Sequence, residues 1–258
     1  MQAKCLAIAN RKGGCGKTSA ATSLATEIGS EGKRVLVIDC DEQCSISQRM
    51  LADPLEKGEF TLYDVLFNKA PMGEAIFQAA KQFPNCYIMP SSPRLKPDDH
   101  SFNSALSRET LIKRVVDAAR KNFDLIILDS PPAMSIITTA VLTAADYFLI
   151  PLGFDISSLE GVEPVLNEAK KIEAAKLGKP KYLGAFCTQY GQSRLLATKD
   201  FDQLAAEVSG LLDKFHIPAS SNWKQAEMRN TTLQDSRSHP ISKGYQKLTK
   251  YIAKEIHL

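Results

Sequence analysis

One stretch constrains this chain more than any other: Ala7-Ile8-Ala9-Asn10-Arg11-Lys12-Gly13-Gly14-Cys15-Gly16-Lys17-Thr18-Ser19. The apolar run Cys5 to Ala9 predicts a buried strand, and the small-residue segment Ser19 to Ile28 predicts a helix. Between them lies a glycine-rich turn closing on Gly-Lys-Thr, the order of a phosphate cradle. Its glycines let backbone N–H groups approach phosphates with no Cβ in the way. The helix that follows adds unpaired donors and the positive end of its dipole. The expected cradle is Gly13, Gly14, Cys15, Gly16, Lys17, Thr18 and Ser19. Lys17 reaches the β- and γ-phosphates, and the Thr18 hydroxyl holds Mg²⁺.

The loop departs from the standard pattern at one place. A glycine is wanted five residues before Gly16, and that position is Arg11. A second lysine, Lys12, instead heads the loop. A glycine-rich surface turn is the competing reading, but the strand–loop–helix context argues against it. The wording Lys-Gly-Gly-Cys-Gly-Lys-Thr resembles the deviant Walker A box of the ParA/MinD family of P-loop ATPases. That resemblance implies that Lys12 reaches across a dimer interface to the partner's nucleotide.

At 258 residues the chain is expected to form a single P-loop ATPase domain over 1–258. A hydrophobic content of 44% with scattered charge fits a globular protein. No run of about 18 apolar residues is present to span a membrane. The chain enters its first strand at once and carries no signal peptide, so a cytoplasmic location is expected. The cysteines Cys5, Cys15, Cys40, Cys44, Cys86 and Cys187 show no CxxC or zinc spacing, which fits reduced thiols.

Further along, Lys33 to Asp39 predicts a second apolar strand running into Asp39-Cys40-Asp41-Glu42-Gln43. Acids delivered at a strand's carboxyl end belong at the ligand crevice of an open parallel sheet. A helix N-cap is the alternative use of such a pair. The segment is similar to the family's Walker A′ box, Asp-x-Asp-Pro-Gln, with Glu42 in place of proline. The resemblance implies that Asp39 supports the Mg²⁺ shell and that Asp41 orients or activates the attacking water. Thr61 to Phe67 and Met72 to Ala80 predict short helices, and Asn85 to Met89 a strand. Pro90 to Ser101 predicts a loop. Leu111, Ile112, Val115, Val116 and Ala119 have the spacing of an amphipathic helix over Arg108 to Asn122. Phe123 to Asp129 reads as a buried strand ending in an acid. The Asp-x-Pro-Pro ending resembles the family's Walker B segment, and Asp129 is then expected to bind Mg²⁺ through a water.

Strands are expected at Tyr147 to Leu152 and Lys181 to Thr188, with a long helix ending near Lys176 between them. Gln189 to Arg194 predicts a loop leading into a helix that ends near Phe215. His216-Ile217-Pro218 is similar to the segment whose proline, here Pro218, borders the adenine in relatives. The last helix, Ile241 to Leu258, puts Tyr245, Leu248, Ile252 and Ile256 on one stripe. It reads as a packed closing helix in preference to an amphipathic membrane helix. Strands alternating with helices throughout predict an α/β, doubly wound, mostly parallel sheet.

The charge is unevenly spread. From Lys181 to Leu258 eleven Lys/Arg face seven Asp/Glu, a balance of +4, whereas the first 180 residues balance at −1. This suggests a mildly basic face for a polyanion. The candidates are Arg194, Lys199, Arg229, Lys243, Lys247 and Lys250. The resemblance is to small ParA/Soj-type ATPases without an N-terminal helix-turn-helix. It implies an ATP- and Mg²⁺-dependent homodimer on non-specific, nucleoid DNA that segregates or positions a cargo. A ParB-like or cargo-adaptor protein would stimulate its slow hydrolysis. A MinD-like membrane-associated ATPase and a metabolic P-loop ligase are the alternatives. An iron–sulfur reductase is disfavoured because Ser130 to Ala145 holds no cysteine.

Overall fold

Strands covered on both faces read as near-continuous apolar runs, and the inner strands of this chain have that form for that reason. The computed structural model describes residues 2–96, 100–190, 215–218 and 240–258. Among these are β1 (Lys4–Ile8), β2 (Val35–Asp39), β3 (Phe77–Gln78), β4 (Cys86–Met89), β5 (Leu125–Asp129), β6 (Tyr147–Leu152), β7 (Lys181–Tyr190) and β8 (His216–Pro218). They form one sheet in the order β3-β4-β2-β5-β1-β6-β7-β8, and every pairing but β3 with β4 is parallel. The helices are α1 (Lys17–Ser30), α2 (Ser45–Met50), α3 (Leu62–Leu66), α4 (His100–Ser104), α5 (Leu111–Ala119), α6 (Ile136–Ala144), α7 (Ile156–Leu159), α8 (Val162–Ala174) and α9 (Pro240–Glu255).

Alternate strand residues serve opposite layers. Leu6, Ile8, Val35, Val37, Leu125 and Ile127 pack with α1 and α9 on one face. Cys5, Ala7, Leu36, Ile38, Ile126 and Leu128 pack with α5, α6 and α8 on the other. The doubly wound, mostly parallel sheet expected from the sequence is therefore the one observed.

Helix α1 lies close enough to the segment entering β4 that position 29, in its last turn, tolerates no side chain. A Cβ on Gly29 would sit 2.1 Å from the Pro84 carbonyl oxygen and 2.9 Å from Cys86 Sγ. Alanine gains about 1 kcal/mol of helix propensity over glycine, yet here its methyl meets backbone that cannot give way. Gly29→Ala is expected to lower stability by about 1–3 kcal/mol, read as a lower urea midpoint with an unchanged slope.

The closing helix α9 settles against the domain as expected. Tyr245, Leu248, Ile252 and Ile256 are buried, and the Tyr245 ring meets Phe186 edge-on at 6.5 Å. Burying Leu248, Ile252 and Ile256 is worth about 1.5–3 kcal/mol each relative to exposure, so the apolar stripe is already used. Lys243, Lys247 and Lys250 are exposed on the opposite side. No helix among the described residues is long and apolar enough to cross a membrane.

The region 72–80 corrects an expectation. Only Met72–Ala75 is helical, as one 3₁₀ turn, and Phe77–Gln78 then adds β3 antiparallel to β4. Gly73 weakens a helix here, and hydrogen bonds such as Ala79 N–H to Cys86 O at 3.0 Å favour the extended chain. Helix α5 is also shorter than expected, because Arg108–Thr110 forms a 3₁₀ turn before it. The helix expected to end near Phe215 lies outside the described residues.

Candidate nucleotide site at the strand ends

The phosphate loop leaves β1 at the centre of the sheet and turns into α1. Gly14 and Gly16 have φ of 75° and 86°, the left-handed region that glycine adopts at no steric cost. Gly16 is also hemmed in, since an added Cβ would lie 3.1 Å from Thr188 Cγ2. The Thr188 hydroxyl lies 2.9 Å from Cys15 O and 3.0 Å from Leu152 O, tying the loop to β6 and β7. At the head of the loop, the buried Asn10 donates from Nδ2 to Pro151 O at 2.8 Å and accepts the Lys12 N–H at 2.9 Å.

Lys17 is only 7% exposed, and its ammonium folds back over the loop to donate to Lys12 O at 2.9 Å. Thr18 donates its hydroxyl to Asp129 Oδ2 at 2.7 Å. Asp129 ends β5 and stands in register with Asp39, which ends β2, so the two carboxylates are neighbours across one parallel pair. Burial pushes Asp39 up to about 6, restrained by its bond from Ser47. It pushes Asp129 up to about 7, aided by the charge of Asp39 and restrained by Thr18.

These residues fit a divalent cation. Asp129 is 1% exposed, and its Oδ1 has no hydrogen-bond partner. A buried carboxylate oxygen left without a donor is costly unless something else satisfies it. Among the described residues no three His, Cys, Asp or Glu side chains form a cage. Mg²⁺ needs none, being held by one or two protein oxygens together with substrate phosphates. Thr18 Oγ1 and Asp129 Oδ1 are the oxygens suited to it.

Asp39 accepts from its own chain through both carboxylate oxygens. Its Oδ1 accepts the Asp41 N–H at 3.0 Å, and its Oδ2 accepts Ser47 N–H at 3.0 Å and Ser47 Oγ–H at 2.5 Å. Asp41 is half-buried in the loop between β2 and α2, where its Oδ1 accepts the Gln43 N–H at 3.1 Å. Lys17, Thr18, Asp39 and Asp129 thus meet at the strand ends, and Asp41 joins them through Asp39.

Lys12 lies on the other flank of the loop. Its ammonium bonds Asp155 Oδ1 and Ser157 Oγ in the same chain. Partial burial pushes the Asp155 carboxyl up, and Lys12 with the hydroxyls of Ser157 and Ser158 more than reverses this, holding it below the ordinary range. Arg11, Lys12, Ser157, Glu160 and Gly161 line a cleft of about 230 Å³ there. Pro218 stands on β8, opposite Tyr190, at the far edge of the sheet from the acids. Of the basic candidates, Lys243, Lys247 and Lys250 are exposed on α9, while Arg194, Lys199 and Arg229 lie outside the described residues. Sequence reasoning passed over Asn10, Ser47, Asp155 and Thr188. Only Asn10, a polar residue at the exit of an apolar strand, carried a local signal.

Positions 3–180 match the family described as an AAA domain. The sporulation initiation inhibitor protein Soj of Bacillus subtilis (strain 168) is 32% identical over 170 residues, 66% of this chain and 66% of that protein. The chromosome-partitioning ATPase Soj of Treponema pallidum is 28% identical over 260 residues, 96% of each chain. Among solved structures, apo McdA of Cyanothece superposes with a TM-score of 0.85 at 25% identity, covering 96% of this chain and 98% of that one.

Proposed function

Because the chain belongs to the ParA/MinD family of P-loop ATPases, we propose that two copies of it close around two ATP molecules and that the closed dimer holds DNA. The protein is a Mg²⁺-dependent ATP hydrolase and a positioning ATPase of the ParA type. Mg²⁺, when bound, would supply charge neutralisation at the phosphates. The chain's own part is positioning. The loop amides and Lys17 would hold the phosphates, Thr18 and Asp129 would hold the ion, and Asp41 would orient the attacking water. Pro218 borders the base. Little covalent work is needed, because charge in the transition state spreads over the γ-phosphoryl oxygens.

The observation that carries the dimer is the contrast between the two lysines. Lys17 is 7% exposed and turned into its own loop. Lys12, 33% exposed beside an open cleft, is the cation able to meet a second copy's triphosphate. ATP that bridges subunits then controls their association by mass action.

In this reading the DNA surface is the basic last third, including Lys243, Lys247 and Lys250. Arg194, Lys199 and Arg229 belong to the same candidate set. Pairing two chains doubles the phosphate contacts, and each contact adds about −0.9 to the slope of log affinity against log salt. No base reading is required. A partner protein bound to the cargo, ParB-like or a cargo adaptor, stimulates hydrolysis and releases the dimer from the nucleoid within the cytoplasm.

The test is light scattering and DNA filter retention with ADP or a slowly hydrolysed ATP analogue at graded salt. The expected result is a dimer and salt-sensitive retention with the analogue alone. A monomer with analogue bound, or retention indifferent to nucleotide, overturns the reading.

A further inference from the structure

Ser47 joins three segments that are far apart in sequence. It is 3% exposed on α2, and it gives both its N–H, at 3.0 Å, and its hydroxyl proton, at 2.5 Å, to Asp39 Oδ2. The same hydroxyl oxygen accepts the Ser91 N–H at 2.9 Å, from the segment that follows β4. The opposite oxygen of Asp39 accepts the Asp41 N–H at 3.0 Å. One chain of hydrogen bonds therefore runs from Ser91 through Ser47 and Asp39 to the backbone of Asp41. Asp39, 0% exposed, has both oxygens engaged by donors from its own chain.

The loop that this chain fixes does not rest in an easy conformation. It leaves through Cys44 at φ 53°, left-handed for a residue with a Cβ. Such a conformation costs on the order of 1–3 kcal/mol and persists only where the surroundings hold it. The surroundings here are the Asp39 bond at the start of the loop and the Cys44 N–H to Asp41 O bond at its end, at 2.9 Å.

We propose that Ser47 is a positioning residue for hydrolysis: it locks the Asp39 carboxylate, which holds the Asp41 amide and so sets where the Asp41 carboxylate stands. The proposal rests on the reading of Asp41 as the group that orients the attacking water. In this role Ser47 acts through Asp39, to which it gives both its N–H and its hydroxyl proton. Removing its hydroxyl leaves Asp39 Oδ2 with one donor in place of two and leaves the Ser91 N–H without an acceptor. Both ends of the chain loosen together, while the phosphate loop, on β1 and α1, keeps all its own bonds.

The test compares Ser47→Ala, Ser47→Thr and Asp41→Ala with the wild type in three measurements. These are fluorescent ADP affinity, single-turnover hydrolysis and amide hydrogen exchange at Asp41 in the nucleotide-free protein. Ser47→Ala is expected to bind ADP as the wild type does. It should hydrolyse ATP about 10- to 100-fold more slowly, the scale of a small misplacement in a reacting site. Its Asp41 amide should exchange faster, and Ser47→Thr should restore both rate and protection. A wild-type rate with unchanged exchange in Ser47→Ala overturns the proposal. So does an equal fall in ADP affinity and rate, which marks a merely structural residue. Should Ser47→Ala not fold, Ser47→Cys, which keeps the shape and loses the strong donor, is read by the same criteria. Undiminished hydrolysis by Asp41→Ala overturns the reading of Asp41, and the exchange measurement still decides whether the lock exists.

Discussion

Lys12→Ala is expected to bind ATP as the wild type does and to lose about 10³- to 10⁵-fold in turnover, the range reached when a cation supplied across an interface is removed. The size of the effect separates this role from the contact that Lys12 makes within its own chain. The ion pair with Asp155 has side chains 33% and 44% exposed. Exposed pairs of this kind contribute about 0–1 kcal/mol, so the variant's thermal midpoint should barely move. Asp155→Ala breaks the same pair yet keeps the cation, and its turnover should stay close to that of the wild type. Single-turnover hydrolysis and light scattering with a slowly hydrolysed analogue check both variants. Equal losses in Lys12→Ala and Asp155→Ala would assign the effect to the local pair and remove the cross-subunit role.

Asp41→Ala is expected to slow hydrolysis by about 10²- to 10⁴-fold, the contribution of a positioned group that handles the proton of the attacking water. Nucleotide affinity should persist, because Lys17, Thr18 and Asp129 make their contacts without it. In the proposed cycle, where release waits on hydrolysis, the dimer and its hold on DNA should outlast those of the wild type. DNA retention followed over time after ATP addition, with phosphate release measured in parallel, reads both effects. Normal phosphate release by this variant would remove Asp41 from the mechanism.

The parts of the site that the sequence announced share one property: each is written locally. The Gly-Lys-Thr loop lies between a strand and a helix adjacent in the chain, and Asp39 and Asp129 each close an apolar run. Reading those runs as strands places both acids at the same end of a parallel sheet, and β2 and β5 pair there in register. Other parts depend on distant contacts. Thr188 meets Cys15 across 173 positions, and Lys12 meets Asp155 across 143. No spacing rule reports such pairs. Helix α6 was invisible for a different reason. Its sequence, IITTAVLTA, is rich in β-branched residues, and most of its surface is buried between layers, so it has no polar face to give it a period. The 72–80 segment erred the opposite way, where pairing along an edge strand overrode a helical pattern.

The order of the strands has a last consequence. β1 carries the phosphate loop and has β5 on one side and β6 on the other. The acids come from β5 and β2 beyond it, while Asp155, the holder of Lys12, comes from the loop after β6. The acids proposed to time bond cleavage and the carboxylate that pairs with Lys12 thus stand on opposite banks of one central strand. Substitutions on the acid bank are therefore expected to retune how long nucleotide stays uncleaved while leaving the Lys12 cleft as it is.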